Sequence, residues 1–409
     1  MKIRKSLNSV AAAILLQAIV LPSLIVAQSE TDIYDRIREE GTKNSQVMKT
    51  LSMLTDVYGP RLTGSPQLKA AGEWAAKQMT DWGMQNAALE PWDFGHPGWV
   101  NERAYGFITS PVQDSLVFEV LAWTPSTDGV AKGKAFNMLL PDRPTQEELT
   151  AYFNSVRSQV KGSIVFFGNP ASVPVNITPP AKRTPDDEAK RRVNPDAPAV
   201  QFGGPQFTPP TPKPGALPFS ELANQLNQFL IDNDVAVRVN DAGREHGQIR
   251  AFSNNTYDPK KVVPTIVMRN EDFGRIVRLV RGGQTVELEF RIRNKIFPEG
   301  ATSYNTVAEI VGTEKPDEVI MLGGHLDSWH SATGATDHGT GCSVMMEAAR
   351  IIKALGLKPK RTIRVALWSG EEQGLLGSQA YVAKHFGTAE APKPAWAKFG
   401  GYINHDTGT

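Results

Sequence analysis

The chain has 409 residues, of which 40% are hydrophobic and 21% are charged, and its 44 lysines and arginines nearly balance 43 aspartates and glutamates. A length well above about 150 residues predicts two or three domains, and this composition excludes collagen-like, coiled-coil and wholly disordered chains. Balanced charge provides no global positive field for nucleic acid or an anionic membrane surface. The sequence therefore favours a peptide or small-molecule substrate and predicts no nucleic-acid partner.

The N-terminus has the pattern of an export signal. Basic residues at positions 2, 4 and 5 precede the apolar run Val10–Val26, and Ala27 is a small residue suited to cleavage. This pattern predicts a signal peptide over residues 1–27 and a secreted or periplasmic protein, with an N-terminal membrane anchor as the alternative. No later segment is apolar enough to span a membrane. Cys342 is the single cysteine, so no intrachain disulfide is expected.

Helices and then strands are predicted in the first third of the chain. Apolar residues recur at helical spacing between Asp32 and Trp82, on both sides of a turn that ends at Pro66. Ser65 can cap the second helix, with Pro66 at its first position. Residues 87–94 and 102–109 are then typical of strands.

A β-rich module is predicted over residues 123–296. It contains a proline-rich loop over residues 172–215, which cannot pack a core. Short apolar runs at 162–167, 235–239, 263–268 and 286–294 are typical of strands, and residues 270–281 of a helix. Residues 123–296 are therefore predicted to form a small β-rich module with its own loop.

Residues 297–409 alternate strand, loop and helix, which predicts an α/β domain with a mostly parallel central sheet flanked by helices. Buried strands are predicted at 319–324, 362–368 and 400–403. The first precedes His325 and Asp327, the second precedes Glu371 and Glu372, and the third precedes Asp406, while Asp337 lies on the loop before the helix 342–355. Because ligands collect at the carboxyl ends of strands in open α/β sheets, these side chains are expected at one edge.

One imidazole among several carboxylates suits a pair of zinc ions about 3.5–4 Å apart, since a bridging carboxylate can hold two metals. Adjacent glutamates point apart, so one can bind metal while its neighbour faces the reacting water.

The motifs GGHLDSWHSATGATDHGTG, SGEEQGLLGS and NHDTG resemble those of the co-catalytic zinc aminopeptidase family, which includes secreted leucyl aminopeptidases and plasma glutamate carboxypeptidase. The resemblance implies a zinc exopeptidase fold and hydrolysis of terminal bonds in peptides or dipeptides through a metal-bridged hydroxide. It also implies that the β-rich module over residues 123–296 is a protease-associated insert, whose usual role is a lid or an access wall. The insert would interrupt a catalytic domain whose N-terminal part is residues 28–122 and whose zinc-binding part is residues 297–409.

The resemblance also implies roles for individual residues. His325 and Asp406 would bind one Zn²⁺, Asp337 would bridge two, and Glu372 would bind the second. Glu371 would be the general base, and the Asp327 carboxylate would accept the other ring N–H of His325. The family carries Asp or Asn where this chain has His338, and Asp where it has His330, so both histidines are interpreted as residues of the site's rim.

Two alternatives are a receptor-like binding protein that has lost the chemistry and a single-zinc glutaminyl cyclase. Retention of Glu371, Asp337, Glu372 and Asp406 argues against the first, and the two-metal ligand set argues against the second. The family's remaining histidine ligand lies well downstream of the NHD motif, so it is expected beyond residue 409 of a C-terminally truncated chain.

Overall fold

The computed structural model describes residues 30–174, 177, 185–192, 194 and 213–406. The predicted signal peptide and most of the predicted proline-rich loop lie outside the described residues, so both stay predictions. Within the described part of the chain, no helix is long and apolar enough to cross a membrane.

Nine α-helices occur in the described residues: α1 Glu30–Lys43, α2 Val47–Ser52, α3 Pro66–Asp81, α4 Gln146–Val160, α5 Asp186–Arg192, α6 Phe219–Asp232, α7 Asn270–Arg281, α8 Thr340–Ala354 and α9 Leu376–His385. Short 3-10 or π turns lie at Met53–Val57, Pro259–Lys261, Pro298–Ala301, Ala335–Gly339 and Pro394–Lys398.

The described strands are β1 Gln85–Asp93, β2 Gly98–Ser110, β3 Asp114–Ser115, β4 Phe118–Val120, β5 Ala131–Met138, β6 Ile164–Phe167, β7 Val237–Asp241, β8 Thr265–Met268, β9 Glu287–Phe297, β10 Thr302–Ile310, β11 Lys315–His325, β12 Arg361–Trp368 and β13 Phe399–Asn404. The helix predicted over 270–281 agrees with α7 at both ends.

One sheet has the strand order β1-β10-β12-β11-β13. Strands β12, β11 and β13 are parallel, and helices α8 and α9 connect them in the sequence. Strands β1 and β10 add antiparallel pairings, so the sheet is mixed where a mostly parallel one was predicted. The physical reason is connectivity: only residues 311–314 connect β10 to β11, too few for the crossover helix that a parallel orientation would need.

The second sheet has the order β3-β2-β9-β5-β6-β7-β8-β4, so its strands come from residues 98 to 297. Strand β2 pairs with β9 along its length and therefore joins this sheet although it precedes residue 123. The predicted boundaries of the insert stay predictions. A core that includes Trp99, Trp123, Phe166 and Phe290 lies against this sheet.

Helix α3 begins as its sequence predicts. The Ser65 side chain accepts a hydrogen bond from the main-chain N–H of Leu68, and Pro66 is the first helical residue. Leu68 and Met79 are buried in a core beneath the first sheet. Burial of a side chain of this size contributes about 1.5–3 kcal/mol to the stability of the folded state. This packing holds the helix and the turn before it in place.

The turn before α3 is held by Arg61, which is fully buried. Its guanidinium donates hydrogen bonds to main-chain carbonyl oxygens of two segments. The acceptors are Leu54, Gly59, Leu326, Thr333 and Gly334, at 2.6–3.0 Å. The turn is thereby fixed to the loop that follows β11.

Arg61→Lys is expected to lower the free energy of unfolding by roughly 2–4 kcal/mol, since an ammonium cannot reproduce the planar fork and leaves buried carbonyls without donors. Urea denaturation measures the change. Arg38→Lys, at a side chain that is 80% exposed, is the matched control and is expected to stay within about 0.5 kcal/mol. A loss of under 0.5 kcal/mol in the Arg61 variant would show that these hydrogen bonds are not needed.

Candidate functional site

Three neighbouring parallel strands end at the same edge of the first sheet. His325 is the last residue of β11 and pairs with Trp368, the last residue of β12. Glu371 and Glu372 follow β12, and Asp406 follows β13. The carboxyl ends of parallel strands therefore bring together residues that lie up to 81 positions apart, as the strand pattern predicted.

His325 is buried among carboxylates. Its Nε2 atom lies 3.1 Å from Oδ1 of Asp337, 3.4 Å from Oδ1 of Asp406 and 3.8 Å from Oε2 of Glu371. The side chain is only 2% exposed, yet this nitrogen makes no hydrogen bond with any described residue. A buried ring nitrogen without a partner, facing several carboxylate oxygens, is the environment expected of a metal ligand.

Four side chains form a compact group of possible ligands. One donor atom from each of His325, Asp337, His338 and Asp406 lies within 4.8 Å of all the others. Imidazole nitrogen and carboxylate oxygen are ligands that zinc accepts, so the residues present fit that metal.

His338 is buried, so its interpretation as a rim residue is wrong. Its ring stacks against those of His325 and His405, with centroids 5.2 and 5.3 Å away. Its Nε2 is 3.3 Å from Nδ1 of His405. A Cβ atom at Gly341 would lie 1.7 Å from that Nε2, so the glycine makes room for the ring.

Glu371 and Glu372 face different surroundings. The Glu371 carboxylate approaches His325, whereas Glu372 lines a cleft of about 380 Å³ together with Asp337. Glu372 is therefore outside the compact group of four, although it shares a surface with one of its members. This separation matches the expectation that adjacent glutamates point apart.

Asp327 anchors the turn that carries both glutamates. Its fully buried carboxylate accepts hydrogen bonds from the Thr63 hydroxyl at 3.1 Å and from the main-chain N–H groups of Glu371 and Glu372 at 3.2 Å each. Nδ1 of His325 lies 3.0 Å from the main-chain carbonyl oxygen of Asp327 and 3.7 Å from its carboxylate. The acceptor for His325 is therefore the main chain and not the predicted carboxylate, which is occupied by the turn.

Negative charge exceeds positive charge at this edge. Five carboxylates accompany the imidazole, and no described Lys or Arg forms an ion pair with any of them: Asp327, Asp337, Glu371, Glu372 and Asp406. Burial alone would lower the pKa of His325, but neighbouring carboxylates, Asp327 first, raise it to about 10. Burial and then the charge of Asp337 raise the pKa of Glu372 to about 8. A bound cation would relieve this repulsion.

Residues 305–408 match the sequence pattern of the family described as Peptidase family M28. Over 349 aligned residues the chain is 29% identical to Carboxypeptidase Q from Bos taurus. The aligned region covers 84% of this chain and 62% of that protein. The chain thus spans less than two thirds of the length of this curated relative.

Two solved structures show the same fold. A peptidase M28 precursor from Shewanella amazonensis SB2B superposes with a TM-score of 0.57 at 23% identity, covering 92% of this chain and 74% of that one. BSAP, a zinc aminopeptidase from Bacillus subtilis, gives a TM-score of 0.50 at 16% identity, covering 88% of this chain and 68% of that one. The predicted α/β class, with sheets flanked by helices, is confirmed.

Proposed function

We propose, from the match of residues 305–408 to peptidase family M28, that the chain is a zinc-dependent exopeptidase that hydrolyses terminal bonds of peptides or dipeptides. The observation that carries the proposal is the buried Nε2 of His325, which makes no hydrogen bond within the described part of the chain and faces three carboxylates.

In this proposal His325, Asp337 and Asp406 hold one Zn²⁺, and Asp337 and Glu372 contribute to a second. Support for the first set comes from the compact group of donor atoms, and support for the second from the cleft that Asp337 and Glu372 share. Zinc at such a site lowers the pKa of a water molecule towards neutrality and polarises a carbonyl group.

Glu371 is the proposed general base. Its carboxylate approaches the group but is not part of it, so it can receive a proton from the attacking water. The water oxygen then bonds to the carbonyl carbon, the C–N bond breaks, and Glu371 returns the proton to the leaving amine. Atoms and charges balance across the two steps, and the carboxylate is regenerated.

The second sheet contributes one wall of the proposed substrate cleft. Arg250 and Phe252, from the loop between β7 and β8, line the cleft together with Asp337 and Glu372. We therefore assign the predicted protease-associated insert the role of an access wall that limits the length of peptide admitted.

Release of chromophore from a panel of aminoacyl, dipeptide and C-terminally blocked substrates, with and without a chelator, tests the function. Chelator-sensitive hydrolysis of a terminal bond is expected, and the panel identifies which chain end is cut. Binding without turnover would favour the receptor-like alternative. Cyclisation of an N-terminal glutamine without peptide hydrolysis would favour the single-zinc cyclase.

His338→Asn is expected to weaken zinc binding by about 10–100-fold, the range typical of residues that orient metal ligands. The physical reason is that His338 packs on the ring of His325 and approaches Asp406, with Nδ1 and Oδ1 3.8 Å apart. Competition with a chromophoric chelator measures the affinity. His385→Asn, at a histidine that pairs with Glu90 away from the site, is the control. Equal zinc affinity in the His338 and His385 variants would show that His338 does not contribute to the metal centre.

A further inference from the structure

Two histidines beside the metal centre bond to each other through their rings. Nε2 of His338 lies 3.3 Å from Nδ1 of His405, and the rings stack with centroids 5.3 Å apart. The other ring nitrogen of His338, Nδ1, lies 3.2 Å from the main-chain carbonyl oxygen of Thr336, which can only accept. That nitrogen therefore carries a hydrogen, and Nε2 of the neutral ring accepts the hydrogen bond that His405 donates.

The pair joins two segments that each carry a proposed zinc ligand. His338 directly follows Asp337 in the turn Ala335–Gly339, and His405 directly precedes Asp406 after the end of β13. The two histidines lie 67 positions apart in the sequence. Both carboxylates approach the same nitrogen of His325, at 3.1 and 3.4 Å. Each histidine of the pair is therefore the sequence neighbour of a carboxylate that faces His325.

The two carboxylates need such a link because they repel each other. One oxygen atom of Asp337 lies within 4.8 Å of one oxygen atom of Asp406, and no described Lys or Arg forms an ion pair with either. His405 is well placed to hold them, since its main-chain N–H donates to the carbonyl oxygen of Gly323 at 3.0 Å and extends the pairing of β13 with β11. Its side chain then ties this strand end to the buried ring of His338.

We propose that His405 is a positioning residue, which through its hydrogen bond to His338 holds Asp337 and Asp406 together before a Zn²⁺ ion binds. The inference rests on the proposed zinc exopeptidase function. Ligands that folding has already placed bind a metal more tightly than ligands that must be ordered on binding, because less conformational entropy is lost. His405 does not itself bind the metal, since its Nδ1 is directed at His338.

Zinc affinity of the full chain, measured by competition with a chromophoric chelator, tests the proposal. His405→Phe keeps a stacked ring but removes the hydrogen bond, and it is expected to weaken zinc binding about tenfold, as for residues that orient metal ligands. His405→Asn places an amide close to the position of Nδ1, so it is expected to restore most of the lost affinity. His96→Phe, at a partly buried histidine that stacks on Tyr257, is the matched control and should leave affinity unchanged.

Two further readouts separate positioning from a general loss of stability. The double variant of His405→Phe and His338→Asn is expected to bind zinc no more weakly than His338→Asn alone, because both changes remove the same hydrogen bond. The visible absorption of Co²⁺ bound at saturation reports the ligands and their geometry. It should be the same in His405→Phe as in the unchanged protein, since the ligands are the same. If His405→Phe does not fold, His405→Ala takes its place in these measurements.

Four results would overturn the proposal. The first is equal zinc affinity in His405→Phe and the unchanged protein. The second is an equal loss in His405→Phe and His405→Asn, which would mean that the hydrogen bond has no role. The third is a double variant that binds more weakly than His338→Asn alone, and the fourth is a changed Co²⁺ spectrum, which would make a histidine of the pair a ligand. Absence of zinc binding in the unchanged protein is a different outcome, because it overturns the proposed function itself.

Discussion

Glu371→Gln is expected to hydrolyse peptides about 10²–10⁴ times more slowly than the unchanged protein, because positioned acid–base groups contribute rate factors of this size. The amide has nearly the same shape as the carboxylate but cannot take a proton from water. Zinc content should barely change, because Glu371 is outside the compact group of donor atoms. Steady-state kinetics and zinc analysis on the same sample provide the two readouts.

Glu372→Gln is the matched control, since the neighbouring residue carries the same chemical change on the same turn. It is expected to lose zinc from the second position, and activity with it. If Glu371→Gln kept nearly full activity, the assignment of the base would be wrong. If it lost zinc while Glu372→Gln kept both metals, the two glutamates would have exchanged roles.

Asp327→Ala is expected to lower the free energy of unfolding by roughly 3–5 kcal/mol, because one buried donor and two partly buried donors lose a fully buried acceptor at once. Those donors are the Thr63 hydroxyl and the main-chain N–H groups of Glu371 and Glu372. The turn after β12 should loosen, so the activity that remains should also fall. Urea denaturation measures the stability.

Thr63→Val separates the contribution of one donor from that of the whole group. The Thr63 hydroxyl also accepts a hydrogen bond from the Gly370 N–H. This variant is therefore expected to lower the free energy of unfolding by about 1–3 kcal/mol. A cost for Asp327→Ala no larger than that for Thr63→Val would mean that the carboxylate does not hold the turn.

The meeting of His325, Glu371 and Asp406 could be predicted from the sequence because three apolar runs identify buried strands, and parallel strands end at a common edge. The position of α3 could be predicted for a local reason, since the cap Ser65 and the following proline lie at fixed offsets. Both inferences depend on periodicity or adjacent residues, which a single sequence contains.

Other features depend on contacts that the sequence does not specify. Helix α4 was missed within a region interpreted as β-rich, although Thr145 and Glu148 form a capping box at its start. Burial of His338 requires the space left by Gly341, and the position of the Asp327 carboxylate requires the turn after β12 to fold back on β11. These are tertiary contacts, so residue type alone could not identify them.

Zinc content of the purified chain, compared with that of His325→Ala by mass spectrometry of the metal after exhaustive buffer exchange, is the most direct measurement on the metal centre. His246→Ala, at an exposed histidine that is not part of the compact group of donor atoms, controls for adventitious binding. Bound zinc in the unchanged protein and in the His246 variant, with loss of that zinc in His325→Ala, is predicted. Equal zinc in all three proteins, or none in the unchanged protein, would contradict a zinc centre built on His325.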